Sequence, residues 1–192
     1  MKHVAIIFAF LILTSLCAGQ DKTDLSWVFP VDAAGMRIGT GFINELLPEK
    51  VTYNPILIQV FYQHSFRKKN AADDFSMLYV PQFNPVMISG KIKEYEFGVN
   101  LWLKYSHRFG KSIFYGAIGS GPHYISTVTR LQAKGFIFSD NFISGFSRPV
   151  GSNLFIDFQI RFRHISNANL QKPNLGIDNF LTTIGIYRPI GK

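Results

Sequence analysis

Cysteine is nearly absent from this chain: of 192 residues only Cys17 is one. With no second thiol, no internal disulfide and no thiolate metal site can form, so stability has to come from packing and backbone pairing. Long apolar runs are scarce too. The one present, Val4 to Leu16, is shorter than the roughly 20 residues a helix needs to cross a bilayer, and nothing like it follows. It is preceded by Lys2 and His3 and followed by small Ala18 and Gly19, the layout of a secretory signal. Residues 1–19 are therefore expected to be removed on export, leaving residues 20–192 as a single domain. Bulky Leu16 immediately before Cys17 argues against a lipidated cysteine. Acidic residues are also few, 12 Asp and Glu against 20 Lys and Arg. On an exported chain this basic balance suits an anionic lipid surface, and no nucleic-acid partner is expected. His64, His107 and His123 are dispersed without ligand spacing, so they are expected to be interfacial or lumen residues, and no metal or cofactor is expected. The stretch Gly116 to Gly121 lacks the lysine and the helix context of a phosphate loop.

What the chain does have is aromatic residues, 19 Phe and 8 Tyr, and alternation with a period of two. From Tyr95 to Ser106, Tyr95, Phe97, Val99, Leu101, Leu103 and Tyr105 point one way. Glu96, Gly98, Asn100, Lys104 and Ser106 point the other, with Trp102 the one bulky apolar exception. Further along, Leu154, Ile156, Phe158, Ile160 and Phe162 oppose Asp157, Gln159, Arg161 and Arg163. Weaker segments lie at Met36 to Asn44, Ile56 to Phe66, Phe75 to Ile88, Ser112 to Ser126, Gly135 to Phe146 and Phe180 to Pro189, which makes eight strands. About 170 residues divided by eight leaves about 21 for each strand and its connection, which suits the tilted strands of roughly 9 to 11 residues that cross hydrocarbon. Turns are expected at Arg67 to Asp74, Ser89 to Glu94, Gly110 with Lys111, and Arg148 to Asn153. The fold class is all-β, an eight-stranded antiparallel transmembrane β-barrel in a bacterial outer membrane, with aromatic residues at its interfaces. Alternation does not say which face is inside. An exported lipocalin-like barrel with its apolar face around a hydrophobic ligand has the same period.

The stretch Arg163 to Phe180 reads RHISNANLQKPNLGIDNF. By parity, His164 and Ser166 share the apolar face of Leu154 to Phe162, and Asp178 shares that of Phe180, Thr182, Ile184 and Ile186. A titratable group facing hydrocarbon is costly, so a functional reason is expected. Residues two apart on a strand have Cβ atoms about 7 Å apart, which lets a serine hydroxyl meet an imidazole. Ser166 as nucleophile, His164 as base and Asp178 as the acid that orients the imidazole make a set for acyl transfer to water. The bland reading of the same residues is the polar start of a loop, in a non-enzymatic structural or adhesion barrel.

The run His164, Ser166, Asn167, Asn169, Leu170, then Pro173, Asn174, Gly176 and an acid at 178 resembles the signature of the PagL-type lipid A 3-O-deacylases, outer-membrane barrels that remove an ester-linked acyl chain from lipopolysaccharide. The match is specific over about 18 residues and loose elsewhere. The resemblance implies Ser166, His164 and Asp178 as catalytic residues, Asn167 or Asn174 at the oxyanion site, and lipid A as substrate among outer-membrane lipids. It also implies a departure, because the best-known members carry glutamate at the position of Asp178, one methylene longer. Which acyl chain is cut, and whether the chain works as a monomer or a homodimer, is not legible here.

Overall fold

The computed structural model describes residues 32–44, 52–66 and 72–190. The expected signal segment with its cleavage point, and the basic turn residues Arg67, Lys68 and Lys69, lie outside them. Nine strands follow one another: β1 (Asp32–Asn44), β2 (Tyr53–Ser65), β3 (Asp73–Ile88), β4 (Lys91–Phe109), β5 (Ser112–Ser120), β6 (Pro122–Ile125), β7 (Gly135–Pro149), β8 (Phe155–Ser166) and β9 (Ile177–Pro189). All pairings between them are antiparallel. Both β5 and β6 pair with β4 on one side and β7 on the other, so they form a single stave stepped at Gly121, and the ring has eight staves. It closes where β1 meets β9.

Most strands extend beyond the stretch in which alternation is clean. Strand β4 spans Lys91–Phe109 because its ladder with β3 continues past both ends of the patterned core. The turn expected over Ser89 to Glu94 shrinks to Ser89 and Gly90, both at positive φ (51° and 78°), the two-residue geometry that a twisted hairpin favours.

The apolar face points outward. Leu101, Phe142 and Ile184 are 54, 60 and 52 % exposed, while Glu96, Asn100 and Lys104 are buried inside the ring. This is the reverse of a lipocalin-like arrangement. Trp102, which broke the pattern, belongs to the interior, where the guanidinium carbons of Arg161 and Arg37 lie 4.6 and 5.6 Å from its ring centroid.

The polar face is a buried interior crossed by ion pairs and hydrogen bonds. Arg163 makes a two-pronged contact with Glu96, Nη1 to Oε2 at 2.7 Å and Nη2 to Oε1 at 3.1 Å. Asn84 donates to Glu96 Oε2 at 2.8 Å, the Tyr53 hydroxyl also donates to Glu96, and Arg163 Nη2 donates to Asn179 Oδ1 at 2.8 Å. A second node joins Arg37 Nε to Asp157 Oδ2 at 2.6 Å, with Tyr115 and Ser147 donating to Oδ1. Apolar side chains close the interior around these nodes: Phe61, Leu78, Trp102, Phe155 and Tyr187 form one cluster, and Tyr53, Val86, Ile125, Ile137, Ile165 and Ile177 the other.

Removing one partner of such a buried pair strands the other charge, at a cost of about 3–5 kcal/mol. Glu96→Ala is expected to lower unfolding stability by that order, read as a fall in the urea midpoint of the barrel in lipid vesicles. Glu96→Gln, which keeps the acceptor for Tyr53, is expected to lose less.

Candidate active site

Two outward-facing side chains pair at the end of β8, and a third follows on the same face. Residues with even numbers in β8 face out, so Phe162, His164 and Ser166 line up on the outer wall. Asp178 enters on β9 directly opposite His164 in the ladder. That register brings the short aspartate side chain within reach of the ring: directly paired residues have Cβ atoms only about 4.5–5.5 Å apart, and Asp178 Oδ1 stands 2.7 Å from His164 Nδ1. Ser166 continues the same face, and its hydroxyl makes no hydrogen bond to His164 in this structure. Among the described residues, no group of three His, Cys, Asp or Glu is arranged to hold a metal ion.

The asparagines behave differently from each other. Asn167 turns inward and is 1 % exposed. Its backbone N–H donates to Asn174 Oδ1 at 2.6 Å and its side-chain amide donates to the carbonyl of Gln171 at 2.8 Å. Asn174 is half-buried, and its Nδ2 has only a long contact, 3.4 Å, to Asn169 Oδ1. Of the two, Asn174 keeps the amide donor with capacity to spare. The turn between them uses positive φ at Ala168 and Asn169 and closes with Leu170 N–H donating to Asn167 O at 3.1 Å.

Two features escaped the sequence. First, the loop 126–134 clasps the loop 167–176. Ala133 N–H donates to Pro173 O at 2.8 Å, Leu175 N–H donates to Leu131 O at 2.7 Å, and Gln132 bridges to Asn174. No short motif marks such a contact, because it joins segments some forty positions apart. Second, Gly176 (φ +85°) lies flat against the imidazole, and a Cβ there would stand 2.3 Å from His164 Cε1 and 2.9 Å from Nε2. The Leu-Gly-Ile step before the acid was the available signal, and it reads as an ordinary strand start until the ring is seen. Below the polar residues runs a row of outward phenylalanines from four strands. Ring centroids are 6.3 Å apart for Phe42 and Phe180, 5.2 Å for Phe180 and Phe162, and 6.3 Å for Phe162 and Phe142.

The chain matches the family described as lipid A 3-O-deacylase (PagL) over residues 51–187. Among solved structures, it is similar to the outer-membrane enzyme PagL, at 14 % identity and a TM-score of 0.55, covering 82 % of this chain and 99 % of that one. It is also similar to the outer-membrane protein OprG from Pseudomonas aeruginosa, at 10 % identity and a TM-score of 0.51, covering 85 % and 97 %. No match was found among curated proteins. At these identities the structural likeness speaks for the fold, an eight-stranded outer-membrane β-barrel, and the family match covers most of the chain. This chain belongs to the lipid A 3-O-deacylase family of the bacterial outer membrane.

Proposed function

We propose that the protein is a serine esterase of the outer membrane that hydrolyses an ester-linked acyl chain of lipid A, with Ser166 as nucleophile, His164 as base and Asp178 as the group that orients His164. The observation that carries this reading is the outward-facing Asp178–His164 pair, 2.7 Å apart, with Ser166 next on the same face of a chain from the deacylase family. Its surroundings fit a lipid substrate. Two connections at the rim of the site, 126–134 and 167–176, are longer than 66–72, 110–111 and 150–154 at the other rim, while Ser89 with Gly90 at the site rim is a two-residue turn. Long loops belong to the external side of such barrels and short turns to the periplasmic side. The site then lies level with the outer leaflet, where lipid A resides, and the row of Phe42, Phe180, Phe162 and Phe142 supplies an apolar wall for an acyl chain.

In this mechanism the Asp178 carboxylate holds a proton on Nδ1 of His164, leaving the Nε2 lone pair to accept the Ser166 proton. The oxygen of Ser166 attacks the ester carbonyl as that proton moves to Nε2. The oxyanion that forms is stabilised by Nδ2 of Asn174 and nearby backbone N–H groups. Collapse expels the sugar alkoxide, which takes the proton from Nε2, and the acyl group stays on Ser166. Water then attacks the acyl-enzyme with His164 again as base, releasing the fatty acid and restoring the serine. Gly176 gives the imidazole its seat, and the clasp from 131–133 holds the backbone that carries both Asn174 and Gly176.

Mass spectrometry of lipid A incubated with detergent-refolded protein is expected to show loss of one acyl chain. Ser166→Ala and His164→Ala should each lower kcat by on the order of 10⁴-fold or more, and Asp178→Asn by less. A folded parent that leaves the lipid A spectrum unchanged would remove the proposal. Gly176→Ala must displace the imidazole. It is expected to cut kcat at least tenfold with KM little changed, in a barrel whose heat-dependent mobility on a gel is that of the parent.

A further inference from the structure

The pairing of a histidine with an aspartate directly across the ladder occurs twice more, on the outer surface at the opposite rim. Asp32, the first residue of β1, faces His64 on β2, and Asp73, the first of β3, faces His107 on β4. In both, Nδ1 lies 2.7 Å from Oδ1, as at His164. The aspartate takes a further hydrogen bond from the tyrosine two residues before the histidine: Tyr62 to Asp32 Oδ2 at 2.9 Å, Tyr105 to Asp73 Oδ1 at 2.7 Å. Two residues after each histidine stands a phenylalanine in ring contact with it, Phe66 at 5.3 Å and Phe109 at 5.8 Å between centroids. Strands β2 and β4 thus end on the same Tyr-x-His-x-Phe pattern, each with its own aspartate. At the candidate active site the residue in the phenylalanine's place is Ser166.

We propose that these two clusters are binding sites for the phosphodiester headgroups of glycerophospholipids in the leaflet at that rim, one lipid at each histidine. The carboxylate and the tyrosine fix the Nδ1 edge of each ring. That leaves the Nε2 edge, which no described residue engages, directed away from the aspartate, on side chains that are 45 % exposed in both cases. An imidazole held at Nδ1 by an aspartate presents an Nε2–H donor when charged, the group a phosphate oxygen accepts from. The aromatic rings beside it, Phe66 with Phe75 on one cluster and Phe109 on the other, mark the level where hydrocarbon gives way to headgroups. His64 stands level with Met77 on β3 and His107 level with Asp73, four residues along that strand, so the two histidines are roughly 16 Å apart, which leaves room for separate headgroups. A zwitterionic headgroup can set its phosphate toward the ring and its ammonium toward the aspartate. Strands β2 to β4 lie across the ring from β8 and at its other end. Two lipids held there would fix the tilt of the barrel and so the depth of Ser166, a separate matter from whether Ser166 is a nucleophile.

The test is native mass spectrometry of the full mature chain in detergent, titrated with short-chain phosphatidylethanolamine, with inorganic phosphate as competitor. Two lipids per chain are expected for the parent, one for His64→Gln and for His107→Gln, and none for the double variant. Asp32→Asn with Asp73→Asn should also lose both, so the result does not hang on one variant's folding, and lipid A deacylation in saturating detergent should be unchanged as a control. Equal lipid binding by the parent and a folded double variant would overturn the proposal. Displacement of the bound lipid by millimolar phosphate would also overturn it, by showing a site for the free anion.

Discussion

A strand inside hydrocarbon has no water to hydrogen-bond its backbone, so every N–H and C=O must find another strand, and that requirement governs the whole molecule. The ring meets it by closing β1 on β9, with the eight staves paired antiparallel throughout. Once closed, the sheet has only two faces, and the period of two sorts each strand between them. The apolar residues of β4 and β8 can face the bilayer because Glu96, Arg163, Asp157 and Arg37 have one another inside.

The interior is therefore charged without being an open channel of free charges. The carboxylate of each ionic node takes further hydrogen bonds from neutral donors, Tyr53 and Asn84 on Glu96, Tyr115 and Ser147 on Asp157, and the nodes are flanked by apolar clusters. Such nodes do little for net stability compared with apolar packing, but breaking one leaves an uncompensated charge. They favour a single register, since a slip of one residue would put Arg161 and Arg163 into lipid.

The outer surface uses one local solution three times. A histidine directly opposite an aspartate makes a short Nδ1 to Oδ1 contact near the end of a strand. The pair by itself is thus no mark of catalysis on this barrel. What distinguishes the β8–β9 site is Ser166 in place of an aromatic ring, Gly176 pressed against the imidazole, and a clasp between two loops that holds Asn174. The aspartate at 178 fits for the same geometric reason as Asp32 and Asp73: direct cross-strand pairing removes the need for a longer side chain.

The eight-stave architecture, the face on which His164, Ser166 and Asp178 lie, and the family were legible in the sequence, because side-chain direction in a strand depends only on parity and the motif is contiguous. That the apolar face is the outer one was read from the export signal and the aromatic-rich apolar faces, not from alternation, which is symmetric between inside and outside. The pairing of Arg163 with Glu96, the seat Gly176 makes for His164, the clasp from 131–133 and the aspartates of the far rim belong to the tertiary structure. Parity fixes the face of a residue but not its neighbour. That neighbour depends on the register between strands, which turn lengths and interior packing set only when the whole ring closes.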